Sequence, residues 1–204
     1  MQNFKALLVA EEYYHVFNRA VGNEKLFIIP DNYRYFLHLF SSYISPVADL
    51  FSFSLLPNHF HFFLRMKDAD AIRRQMEMLN YRHGSLAALI PDFLLQQFSN
   101  CFNAYTKAFN KQQKRKGKLF MEPFNRKTVL TPEYYTKIVH YIHANPVHHG
   151  FCKQIKAWPY SSYYGLVNQE PGWINYEEVI KWFGSIAEFI KFHEQPVERK
   201  FANK

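Results

Sequence analysis

The spacing of apolar residues changes period several times along the chain, and each change marks an element. Tyr13–Val21 reads as a first strand and Gly22-Asn23 as the turn that closes it. Apolar residues at 36, 37, 39, 40 and 43 fit one broad helical face, which predicts a helix over Tyr33–Tyr43 with Asp31 as N-cap and Ser45-Pro46 as its stop. Phe51–Leu56 and His59–Met66 follow as two strands joined by a tight turn at Pro57-Asn58. Asp68 or Asp70 caps a helix over Ala71–Leu79, Gly84 interrupts, and Phe93–Gln113 has the pattern of a long amphipathic helix restarted by Pro91-Asp92. Leu119–Leu130 is a strand or hairpin. Thr131-Pro132-Glu133 then opens a helix that is expected to stop near Ala144, because the residue before Pro146 is pushed away from helical geometry. Short helices near Tyr176–Phe183 and Ile186–His193 close the chain. The alternation predicts an α+β fold: a ferredoxin-like antiparallel sheet with helices on one face, plus a C-terminal helical tail.

Chemistry enters at His59-Phe60-His61. Side chains on a strand alternate, so both imidazoles leave one face and Phe60 and Phe62 leave the other. Two histidines side by side at a strand end supply half of a divalent-metal site. The plainer alternative is one hydrogen-bonded core histidine and one incidental neighbour. A second polar pair follows about eighty residues later, where Tyr141 and Asn145 stand four apart beside the apolar stripe of 135, 138, 139 and 142. Asn145 can offer an amide oxygen as a third ligand, and Tyr141 a phenolate as nucleophile. Against this stands packing for Tyr141 and helix capping for Asn145.

Composition narrows the class. At 204 residues with 48% hydrophobic and 19% aromatic content, the chain has material for a real core, and disorder throughout is excluded. A formal charge of +8 favours a polyanionic partner, nucleic acid above all. Cys101 and Cys152 lack metal-ligand spacing and suggest a reducing compartment. The apolar run at Ala6–Ala10 is too short for a signal or a membrane span. A cytoplasmic, nucleoid-associated protein is expected, with no membrane partner. Lys111, Lys114, Arg115, Lys116 and Lys118, with Arg126 and Lys127, are the candidate grip on a DNA backbone; a solvated loop is the alternative. His140, His143, His148 and His149 are expected at the surface or on phosphates. The tail tryptophans and Tyr160–Tyr164 are expected to cover the sheet.

Taken jointly, Leu56-Pro57-Asn58-His59-Phe60-His61 on the strand and Tyr141-Ile142-His143-Ala144-Asn145-Pro146 at the helix end resemble the single-tyrosine HUH transposases, most nearly the REP-associated tyrosine branch. The YHVFNRA run from Tyr14, the GKLFMEPFNRK run from Gly117 and the WPYSSY run from Trp158 support the resemblance, which spans Tyr13–Gly165. It implies a catalytic domain over 1–165 with a helical extension over 166–204. It further implies a metal-dependent single-stranded DNA nickase and strand transferase. His59, His61 and Asn145 would hold Mg²⁺ or Mn²⁺, and Tyr141 would form a 5′-phosphotyrosine beside a REP-like DNA hairpin, in a monomer or homodimer. Residues Tyr81–Leu95 depart from the family's spacing, and Tyr105 is a rival nucleophile without a polar partner one turn on. The alternative function is a catalytically silent, domesticated hairpin-binding protein.

Overall fold

A computed structural model describes residues 5–81, 89–170 and 172–196. Its elements run β1 (Tyr13–Arg19), α1 (Pro30–Ile44), β2 (Ala48–Leu56), β3 (His59–Met66), α2 (Ala69–Met78), α3 (Leu89–Gln112), β4 (Asn125–Thr128), α4 (Tyr135–His148), α5 (Tyr163–Val167), α6 (Tyr176–Phe183) and α7 (Ile186–His193). The sheet order is β2-β3-β1-β4, with every neighbour antiparallel. This is the α+β, ferredoxin-like sheet that the alternation predicts. Gly84 lies outside the described residues.

The ends of several helices differ from expectation for local reasons. Pro30 and Asp31 are inside α1, and Ile29 holds the N-cap position; the Asn32 amide oxygen accepts from the Ile28 and Ile29 N–H groups at 3.0 and 3.2 Å. Asp68 caps α2 by accepting from the Ala71 N–H at 2.8 Å. A 3₁₀ turn, Pro132–Tyr134, leads into α4. The stop before Asn145-Pro146 does not occur, and α4 continues through Pro146 to His148. Proline removes a single helical N–H there. The backbone recovers at once: the His149 N–H reaches the Asn145 carbonyl at 3.0 Å, and the Phe151 N–H reaches the Pro146 carbonyl at 2.9 Å.

Helices cover both faces of the sheet, where one covered face was expected. On the first face Phe60 and Phe62 meet Phe36 and Phe40 of α1 and Phe102 of α3, with Phe40 and Phe62 stacked at 3.8 Å. On the second, Phe51 and Phe63 meet Tyr135, Ile138, Val139 and Ile142 of α4, then Leu166, Val179 and Phe189 beyond it. The reason lies in α4 itself. Every residue from Ile138 to Pro146 is buried, so one stripe against the first core would not satisfy it. A bulge between Leu50 and Ser52 turns Phe51 and Ser52 to the same side. Ser52 and Ser54, both fully buried and small, give α4 room to approach β2 closely. Among the described residues, no helix is long and apolar enough to cross a membrane.

Candidate functional site

The second face of the sheet carries the chemistry because of strand register. On β3, His59, His61 and Phe63 point to the α4 side, as their alternation requires. On β1 the pairing Phe17↔His61 and His15↔Phe63 sets Tyr13, His15 and Phe17 on that same side. Helix α4 lies across them and lowers Tyr141 and Asn145, one turn apart, onto the histidines.

The result is a tight polar cluster in a largely apolar layer. His59 Nε2 stands 3.3 Å from Asn145 Oδ1, joining residues 86 apart in sequence. His59 Nδ1 meets Asn58 Oδ1 at 2.7 Å, which fixes the other edge of its ring. His61 Nδ1 lies 2.9 Å from His15 Nε2. The Tyr141 ring stands edge-on to His61 and His15, with centroids at 5.8 and 6.0 Å. The Asn145 amide N–H₂ also donates back to the Tyr141 carbonyl, at 3.4 Å. All four groups predicted from the sequence are therefore neighbours in the fold.

Burial governs their charge. Desolvation, aided by nearby His149 and opposed by Asn145, holds His59 down to about 4. Desolvation also holds His61 well below the ordinary imidazole value, with His15 and His59 adding to the effect. His15 is held at about 3 by desolvation and then by the Lys127 charge. Neutral imidazoles at pH 7 are the form that binds metal. Tyr141 is pushed up by desolvation, an effect that its interaction with Asn145 partly offsets. Among the described residues no three His, Cys, Asp or Glu side chains gather as a metal group. A cation here would rest on two imidazoles and an amide oxygen, a neutral donor set that leaves a divalent ion's charge for further ligands to balance.

The other nominated residues are scattered. Tyr105 is buried in the aromatic core with its hydroxyl donating to the Leu26 carbonyl, and burial pushes it far above the ordinary tyrosine value. Lys111, in the last turn of α3, and Lys114, Lys116 and Lys118, just beyond its end, are exposed. Arg115 is drawn back to Glu24 at 3.2 Å and to the Lys118 carbonyl at 3.0 Å, while Lys118 itself pairs with Glu122 at 2.6 Å. Arg126 is buried: its Nε donates to the Ala6 carbonyl at 2.6 Å and its guanidinium lies 5.0 Å from the Phe124 ring. That environment makes it a strut between the N-terminal segment and β4, and removes it from the DNA-facing set. Lys127, the next residue, is half-buried opposite His15.

His140 and His143 are buried, contrary to the surface positions expected. His143 bridges Ser162 Oγ at 2.6 Å and His193 Nε2 at 2.9 Å, and His193 Nδ1 donates to the Phe189 carbonyl at 2.7 Å. Ser162 in turn accepts from the Phe53 N–H at 2.8 Å, so the chain ties α4 to β2 and α7. His149 is exposed beside His59, ring centroids 4.6 Å apart. His15 is the site residue that sequence reasoning missed. Its only sequence signal is a place two residues from Phe17 and Tyr13 on a strand, and that acquires meaning only once β1 is paired with β3.

No family model matches the chain. A protein of Haemophilus influenzae that carries the provisional name REP-associated tyrosine transposase is 27% identical over 118 residues, 57% of this chain and 59% of that relative. The aligned part thus spans under two thirds of the relative's length. A solved structure of a REP-associated tyrosine transposase bound to a REP hairpin has the same fold, with a TM-score of 0.58 and 17% identity over 83% of this chain and 87% of that one. The relative bears the name of the branch that the sequence resembles, and the likeness to the solved structure is one of fold.

Proposed function

We propose that this chain is a transposase-type DNA nickase and strand transferase that cuts single-stranded DNA beside a hairpin through a tyrosine nucleophile. The observation that carries the reading is the meeting of His59 and Asn145 at 3.3 Å with the Tyr141 ring alongside. Nothing in packing alone requires a neutral histidine pair, an amide and a phenol to share one buried spot. His59, His61 and Asn145 would hold Mg²⁺ or Mn²⁺. When bound, that ion supplies Lewis-acid polarisation of the scissile phosphate.

The protein's own groups do the rest. The Tyr141 oxygen attacks phosphorus in line, one P–O bond forms to tyrosine, and the P–O bond to the 3′ carbon's oxygen breaks. The phenol loses its proton, and the departing 3′ oxygen gains one to leave a 3′-hydroxyl. The 5′-phosphotyrosine keeps the bond energy, and attack by a 3′-hydroxyl reverses the step and joins strands. Burial raises the Tyr141 pKa, so the phenol meets the DNA with its proton still on. Lys111, Lys114 and Lys116, exposed at and just past the end of α3, would follow a hairpin's phosphates. A cytoplasmic, nucleoid-associated location follows from such a substrate.

Incubation of the full chain with Mn²⁺ and a hairpin-flanked oligonucleotide tests this. A denaturant-resistant protein–DNA adduct is expected, absent in Tyr141→Phe. An adduct of equal yield in that variant would overturn the assignment. The near-complete burial of Tyr141 favours a second reading, hairpin binding without turnover. Tight binding with no adduct in the wild type would select it.

A further inference from the structure

Resting on the metal-centre reading above, we infer that His15 is a positioning residue: it accepts the Nδ1 proton of His61 and so fixes which nitrogen His61 turns toward Asn145. The two ring nitrogens are 2.9 Å apart and both rings are buried. They lie nearly parallel, 21° between planes, and Phe17 stacks on His15 at 4.7 Å and on His61 at 5.6 Å, so neither ring is free to turn. A single proton occupies the line between the two nitrogens. If His61 is to present a lone pair from Nε2, its proton must sit on Nδ1, and His15 must receive it at Nε2 and carry its own proton on Nδ1. One hydrogen bond therefore sets the tautomers of both rings.

The choice of acceptor matters. Metal-bound histidines usually donate their second N–H to a carboxylate or a carbonyl, which strengthens the ring as a ligand. An imidazole acceptor is neutral, and so pulls on the proton less than a carboxylate does. His61 is then well oriented but only modestly basic, which suits an ion that must be exchanged or reshaped as DNA enters and leaves.

The test uses the full chain without DNA, titrated with Mn²⁺ by calorimetry, and follows His61 by long-range ¹H–¹⁵N spectroscopy in the metal-free protein. His15→Phe keeps an aromatic ring but removes the acceptor, and is expected to weaken Mn²⁺ binding by about 10–100-fold. His15→Gln restores an oxygen acceptor and is expected to recover binding to within about threefold, which a purely structural role would not produce. In the wild type the His61 proton is expected on Nδ1. A proton on Nε2, or unchanged Mn²⁺ affinity in His15→Phe, would overturn the inference, and the spectrum decides it even if that variant fails to fold. His59→Ala separates the two levels. If His59→Ala binds Mn²⁺ as the wild type does, the metal-centre reading itself is lost. If it abolishes binding while His15→Phe does not, only the role of His15 is.

Discussion

The two faces of one sheet make opposite use of the same strands. The α1–α3 face is built from phenylalanines, Phe36, Phe40, Phe60, Phe62 and Phe102 among them, and among the described residues its buried hydrophobic cluster holds no histidine, only tyrosines and the Cys101 thiol. The α4 face uses the alternate residues of the same strands and places His15, His59, His61, Ser52 and Ser54 under a helix that brings His140, His143 and Asn145. Buried polar groups cost free energy unless partnered, and the second face bears that cost along a whole helix. The contrast separates stability from chemistry. One face can be weakened without touching the site, and the other can lose its function with the fold intact.

The largest effect expected from breaking that contrast is on the aromatic face. Phe62→Ala, at a fully buried position stacked on Phe40, should cost about 3–5 kcal/mol, seen as a shift of the urea midpoint, while leaving the denaturant slope unchanged. Next comes His59→Ala. It should reduce adduct formation at least about a hundredfold, ~2.7 kcal/mol of barrier, with little change in thermal stability, because the ring is only half-buried. A large fall in stability with activity retained would erase the distinction between the faces.

Acidification should act on the second face alone. Desolvation holds His140 at about 4 and His193 at about 3, against an ordinary value near 6.5. Between those values the unfolded chain binds protons that the folded one does not, so stability rises with pH across the window and falls as pH drops from about 6.5 toward 4. Each ring contributes on the order of 1–2 kcal/mol between pH 7 and 5. Chemical denaturation at the two pH values should show this loss, and His140→Phe should reduce it where Phe62→Ala does not. The smallest effect is at the exposed loop. Lys116→Ala should make the salt dependence of hairpin binding shallower by about 0.9 in log K against log salt, the value for one duplex-stem phosphate.

Local patterns made much of this legible. The bounds of β3, α6 and α7 coincide with their sequence expectation, because alternation, caps and length agree there. The His59–His61 pair and the Tyr141–Asn145 spacing could each be read on its own element. Their meeting could not be derived from either element alone, and only the family resemblance joined them. What stayed hidden is nonlocal. The value of His15 depends on the β1–β3 register, the strut at Arg126 on where the N-terminal segment lies, and the burial of His143 on Ser162 and His193 arriving from further along the chain. The second covered face was missed for a related reason. A helix buried all round has no polar stripe to announce which layer it will join.

Tyr141 and Asn145 ride on one helix, a single turn apart, with Asn145 tied to the Tyr141 carbonyl. A rod has no independent passengers. Rolling α4 by one residue, about 100°, would carry the phenol and the amide away from the imidazoles together. Any swing that ferried a tyrosine-linked strand elsewhere would thus dismantle its own docking berth on departure, and reassemble it on return.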